Sequence, residues 1–127
     1  MPHCVIQCPS NLLESVDVDS LLTSIHAAAD QSALFEPGDI KVRLLPVEHY
    51  LVGPEPAPFV HLECSLLSGR SIEQRQSLAH LLAKALCAAV PDVEMVSVEV
   101  REIVRATYCN RAALGIGPLV SIVNVPS

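Results

Sequence analysis

The sequence predicts an α+β domain with an α/β-like rhythm, built from two strand–helix–strand units. Two internal matches and one change of periodicity predict it. "PHCVIQC" at residues 2–8 matches "PFVHLEC" at 58–64, with Pro on Pro and Cys on Cys 56 positions later. "VRLLPVEHY" at 42–50 matches "VREIVRATY" at 100–108, with Val-Arg and Tyr aligned 58 positions later. Matches in the same order at nearly one spacing point to duplication of a unit of about 57 residues. Within each unit the apolar pattern passes from strand-like to helical and back. The whole chain, 1–127, reads as a single domain, with pseudo-repeats over about 2–51 and 58–109 and a tail over 110–127.

The elements follow in order. The opening strand is followed by a helix over roughly 17–31, whose stripe is Val18, Leu21, Leu22, Ile25, Ala28 and Ala29. Gly38 precedes the strand "DIKVRLL". "VGPEPAP" at 52–58 has three prolines in seven residues and is the joint between units. "PFVHLECSLL" reads as a buried strand, which makes His61 a core histidine. "SGRS" ends that strand, and Ser71 with Gln74 three positions on forms a capping box. Leu78, Leu81, Leu82, Ala85, Leu86 and Ala89 then recur at helical spacing until Pro91 stops the run. Residues 94–104 alternate as the last strand. A crossover of this length makes the two strands of each unit parallel, with a right-handed connection. The apolar stretch "PLVSIVNV" in the tail either adds an edge strand or reaches a neighbouring subunit.

Composition narrows the function classes. The net charge is −6, and aromatic residues make up 3% with no Trp, so the basic face and stacking platforms of a nucleic-acid binder are missing. Charged residues are 17% of a chain that is half hydrophobic, which predicts that part of the surface is covered in an oligomer. No apolar run has the length of about 18–20 residues that a membrane span requires, and no secretory signal opens the chain. Five cysteines without an export signal predict reduced thiols and a cytoplasmic location. Cys4 and Cys8 lie four positions apart on a strand, about 13 Å, too far for one ion to bridge, so no metal is expected.

Four residues stand out as bearing chemistry: Pro2, Arg70, Lys41 and Arg43. If Met1 is removed, Pro2 presents a free secondary amine; otherwise it only begins an edge strand that needs no donor there. An N-terminal amine ionises at about 7.7–8.0, a secondary amine higher, and burial or nearby cations lower that value toward the neutrality a proton shuttle needs. Arg70 precedes the N-cap Ser71, where a cation opposes the helix dipole by a few tenths of a kcal/mol unless an anion sits beside it. Lys41 and Arg43 alternate with Ile40 and Val42 and so share one face of the second strand. Arg101 and Arg105 read as solvated, with an anion site across a subunit interface as the alternative.

The Met-Pro-His opening, "FEPGDIKVR" at 35–43 and above all "FVHLECSLLSGRSIEQRQ" at 59–76 resemble the 5-carboxymethyl-2-hydroxymuconate isomerases of the tautomerase superfamily. The resemblance covers about the first 90 residues and fades in the tail. It implies a four-stranded sheet with two helices on one face, a homotrimer, and an isomerase without cofactor. The implied substrate is a small unsaturated 2-hydroxy or 2-oxo polycarboxylate of aromatic-acid catabolism. Pro2 would be the catalytic base and Arg70, with Lys41 and Arg43, would bind substrate carboxylates. Lys41 departs from the arginine that these isomerases carry at or near that position, and an ammonium cannot make the planar bidentate grip. Two other outcomes share the scaffold: a non-catalytic trimeric binding module, and an enzyme of another reaction class such as a dehalogenase or decarboxylase.

Overall fold

The computed structural model describes residues 1–119. Strand β1 (His3–Pro9) leads through a 3-10 turn to helix α1 (Val18–Gln31), and a short turn at Pro37–Asp39 enters β2 (Lys41–Val47). The second half repeats that order with β3 (Phe59–Leu67), α2 (Ile72–Ala89) and β4 (Met95–Ile103). A turn at Arg105–Thr107 and the single-turn helix α3 (Arg111–Leu114) follow. The stretch "PLVSIVNV" lies, from residue 120 on, outside the described residues.

The four strands form one sheet in the order β2-β1-β3-β4. Each crossover makes its own two strands parallel, β1 with β2 and β3 with β4, while β1 and β3 meet antiparallel at the centre. Ile6 pairs with Leu62 there, the same two residues that the 56-position match aligns. The outer strands keep a different spacing. His3 stands opposite Lys41 and Phe59 opposite Met95, which aligns β2 with β4 at 54 positions and not at the 58 of the Val-Arg match. The chain takes a longer route from α1 to β2, through the extra turn at Pro37–Asp39, than from α2 to β4. Strand entry is therefore set by the connection and not by the residue letters.

Period-two alternation divides the sheet into two faces. Cys4, Ile6 and Cys8 of β1 and Val60, Leu62, Cys64 and Leu66 of β3 are buried and join one core with Leu21, Ile25 and Ala29 of α1 and Leu78, Leu82 and Leu86 of α2. Both helices therefore cover the same face. Cys4 and Cys64 sit opposite one another in this core, Sγ to Sγ 3.6 Å. The opposite face carries His3, Gln7, His61, Glu63 and Ser65, so His61 is not a core residue. It shares parity with Glu63 and Ser65 and bonds Ser97 on β4 through Nδ1 at 2.7 Å. Pro46 lies in β2, an outer strand, where a missing N–H costs least.

The helix starts are specified locally. Asp17 caps α1 by accepting from the Ser20 N–H. Ser71 and Gln74 cap α2 reciprocally, at 3.1 and 2.8 Å, and so fix where Arg70 leaves the chain. Substituting such a cap by Ala costs about 1 kcal/mol.

Candidate active site at the N-terminus

Three chain segments converge at one end of the sheet. The N-terminus precedes β1, and the Pro2 carbonyl accepts the Lys41 N–H at 3.1 Å, extending the β1–β2 ladder to the first residues. Pro2 is fully buried. The Met1 amine approaches the Asp39 carbonyl at 3.3 Å, and the Lys41 ammonium donates to the same oxygen at 2.7 Å. Burial and then the Lys41 charge hold the terminal amine below its ordinary pKa, with Arg70 pushing the same way.

Arg70 enters from the turn before α2. Its Nη2 donates to the Leu34 carbonyl at 2.7 Å and its guanidinium lies 5.5 Å from the centre of the Phe35 ring. Ala33 makes this contact possible by turning the chain out of α1 at a φ of 61°, a left-handed conformation that a residue with a Cβ rarely adopts. The third segment is the chain that follows β4. Ser68 donates its N–H to the Ile103 carbonyl at 2.9 Å, which sets the chain after β4 beside the turn before α2. Arg105 then donates from Nη2 to the Ser68 carbonyl at 3.0 Å.

These residues line a cleft of about 560 Å³ that includes Met1, Phe35, Lys41, Arg70, Arg105 and Asn110. Of the sequence candidates, Lys41 and Arg70 line the cleft; the chain's start reaches it through Met1, while Pro2 is buried behind it. Arg43 does not line the cleft. It points the same way as Lys41 but lies farther along β2, where its Nη1 donates to His3 Nδ1 at 3.1 Å. With Nδ1 accepting, His3 carries its proton on Nε2, 3.3 Å from the Tyr108 hydroxyl. Burial, and next the Arg43 charge, lowers the His3 pKa and keeps that ring neutral. Arg105, read from the sequence as solvated with an anion site across a subunit interface as the alternative, lines the cleft of its own chain; no local motif marks it, because the β3–β4 register delivers it.

A second cleft, about 420 Å³ between α1 and α2, is lined by Asp17, four serine or valine side chains and alanines, with no cation among its lining residues. Among the described residues, the N-terminal cleft combines an amine of lowered pKa with cations able to hold an anion. Comparison with known proteins decides the family. The family model for 5-carboxymethyl-2-hydroxymuconate isomerase matches residues 2–114. The chain belongs to the 5-carboxymethyl-2-hydroxymuconate isomerase family. Family membership makes it an isomerase. The 5-carboxymethyl-2-hydroxymuconate Delta-isomerase of Escherichia coli is 26% identical over 84 residues, covering 65% of this chain and 67% of that protein. The crystal structure of a 5-carboxymethyl-2-hydroxymuconate isomerase from Deinococcus radiodurans R1 superposes with a TM-score of 0.75 at 25% identity, covering 86% of this chain and 87% of that one. A fused 4-OT wild-type symmetric trimer shares the fold at a TM-score of 0.71 and 19% identity, covering 89% and 98% of the two chains. The sheet and its two helices are thus those of the tautomerase fold. Among the described residues no helix is long and apolar enough to cross a membrane.

Proposed function

We propose that the protein is a cofactor-independent isomerase of a small unsaturated 2-hydroxy or 2-oxo polycarboxylate, of the 5-carboxymethyl-2-hydroxymuconate type, in aromatic-acid catabolism. The observation that carries the reading is the convergence of the N-terminal amine with Lys41 and Arg70 in one cleft of a chain from this family. Removal of Met1 would transfer the amine to Pro2, which is buried in the Met1-bearing chain and which adjoins Lys41 through the β1–β2 ladder. The neutral secondary amine takes the hydroxyl proton of the dienol. The resulting prolinium returns a proton to a distant carbon of the conjugated system and is neutral again. Arg70 holds a substrate carboxylate by charge-assisted hydrogen bonds. Lys41 serves twice, drawing electron density toward the carboxylate end and keeping the amine unprotonated.

The chain is further proposed to work as a homotrimer. Its outer strands β2 and β4 leave open edges, with Leu45 and Met95 about half exposed, and an open edge is a template for pairing with another chain. Low surface charge and a trimeric relative of the same fold support that assembly.

A panel of 2-hydroxymuconate-type dienols, followed by their ultraviolet absorbance, tests the activity. Conversion should be fastest with substrates carrying two or three carboxylates. It should fall on an acidic limb below the pKa of an ordinary secondary amine, since the base acts only when neutral. Ketonisation no faster than the buffer rate across the panel would overturn the reading.

A further inference from the structure

Of the eight Lys and Arg residues two lie in ion pairs among the described residues, three share the N-terminal cleft, and Arg43, Lys84 and Arg111 lie elsewhere. The contrast between the first two sets points to a residue whose part in the reaction is not yet assigned. Arg101 on β4 is neutralised by Glu99 at 3.2 Å and Glu63 at 3.5 Å, and Arg75 on α2 by Glu102 at 3.3 Å. Lys41, Arg70 and Arg105 make no carboxylate ion pair among the described residues; each donates to a backbone carbonyl instead. Glu36 and Asp39 share the cleft wall without pairing with them. In a chain with net charge −6, three cations gathered in one cleft and left without carboxylate partners form a local field opposite to the whole.

Arg105 is held so that its guanidinium keeps spare donors. One Nη2 bond to the Ser68 carbonyl engages a group that has five N–H donors. Its flank lies over Gly69, where a Cβ would stand 3.8 Å from Nη2 and where a φ of 128° excludes most side chains. Gly69 immediately precedes Arg70, whose guanidinium turns to the Leu34 carbonyl, and both arginines line the one cleft from different segments of chain.

We propose that Arg105 is a specificity-determining residue that grips a second substrate carboxylate, beyond the one held by Arg70, so that the cleft selects polycarboxylates over monocarboxylates. The inference rests on the proposed function for its substrate class. A monocarboxylate can satisfy only one of the two guanidinium groups. A dicarboxylate of matching length satisfies both, and a second charge-assisted contact is worth a factor of about 10–100 in affinity or kcat/KM.

The test compares wild type with Arg105→Gln and Arg105→Lys in two assays on the processed protein. Calorimetry measures Kd for saturated, unreactive mono-, di- and tricarboxylates; kinetics measures kcat/KM for mono- and dicarboxylate dienols. Arg105→Gln should reduce the advantage of di- over monocarboxylates by about 10–100-fold in both assays, and Arg105→Lys should restore part of it. Equal weakening for every acid would reduce Arg105 to a clip on the Ser68 carbonyl and overturn the proposal. So would an unchanged preference, or failure of wild type to bind any of the acids. Failure of the parent reading looks different: wild type would bind the unreactive acids with the predicted preference yet turn over none of the dienols.

Discussion

Two cations four positions apart at the C-terminal end of β4 meet opposite fates. Arg101, within the strand, faces the open side of the sheet and lies between two glutamates. Arg105, just past the strand's end, reaches a cleft where carbonyl oxygens are its only described partners. Carbonyls orient a guanidinium without neutralising it, whereas carboxylates remove the field that would attract an anion. The difference teaches that the cleft beside the N-terminal amine retains charge without carboxylate partners, and two of its cations, Lys41 and Arg70, join burial in lowering that amine's pKa.

Removing charge from the cleft should have the largest effect. Arg70→Ala should lower kcat/KM for a dicarboxylate dienol by about 10–100-fold, the loss of one charge-assisted contact. It should also cost about 1–2 kcal/mol of stability, because Arg70 bonds the Leu34 carbonyl and lies over Phe35. Steady-state kinetics beside chemical denaturation separates the two losses, and unchanged kinetics would leave Arg70 a structural clamp.

A smaller change makes the cleft resemble the open face. Asn110 lines the cleft and caps α3 by accepting the Ala113 N–H at 2.9 Å. Asn110→Asp keeps the cap, since Asp and Asn are nearly equivalent there, and adds a carboxylate to the wall. KM for a dicarboxylate should rise several-fold, on the order of one ion pair's worth, with stability preserved. A KM that stays constant would mean that the cleft's charge balance does not govern binding.

The smallest effect belongs to the open face itself. Arg101→Ala removes two exposed ion pairs, worth about 0–1 kcal/mol each, and should leave kcat/KM within about twofold of wild type. A large kinetic loss there would erase the distinction between the two groups of cations.

Much of this was legible in the sequence where the signal is local. The Ser71–Gln74 box, the helix over roughly 17–31, the alternating strands and both strand–helix–strand units follow from residues within a few positions of one another. The Met-Pro start and the Gly69-Arg70-Ser71 turn carried the resemblance to the isomerase family, and the structure sets both against one cleft. What depended on register was not decided by the sequence, which left Arg105 between a solvated role and an anion site. Arg105 reaches the cleft only because Leu67 pairs with Ile103, a choice made between strands far apart in sequence. The Val-Arg match misaligned β2 with β4 because identical letters outweighed the length of the connections. His61 was a different kind of error: its neighbours of equal parity, Glu63 and Ser65, already marked its face as the open one.

The central claim is that one nitrogen at the chain's start performs the proton transfer in the field of these cations. The most direct measurement pairs intact mass with turnover on three samples: protein beginning at Pro2, protein retaining Met1, and Pro2-started protein acylated at the amine. The account predicts activity only in the first, with the same oligomer and the same folding stability in all three, within about 1 kcal/mol. Full turnover from a sample shown by mass to be uniformly blocked would contradict it, because the cleft would then be isomerising its substrate without Pro2 as base.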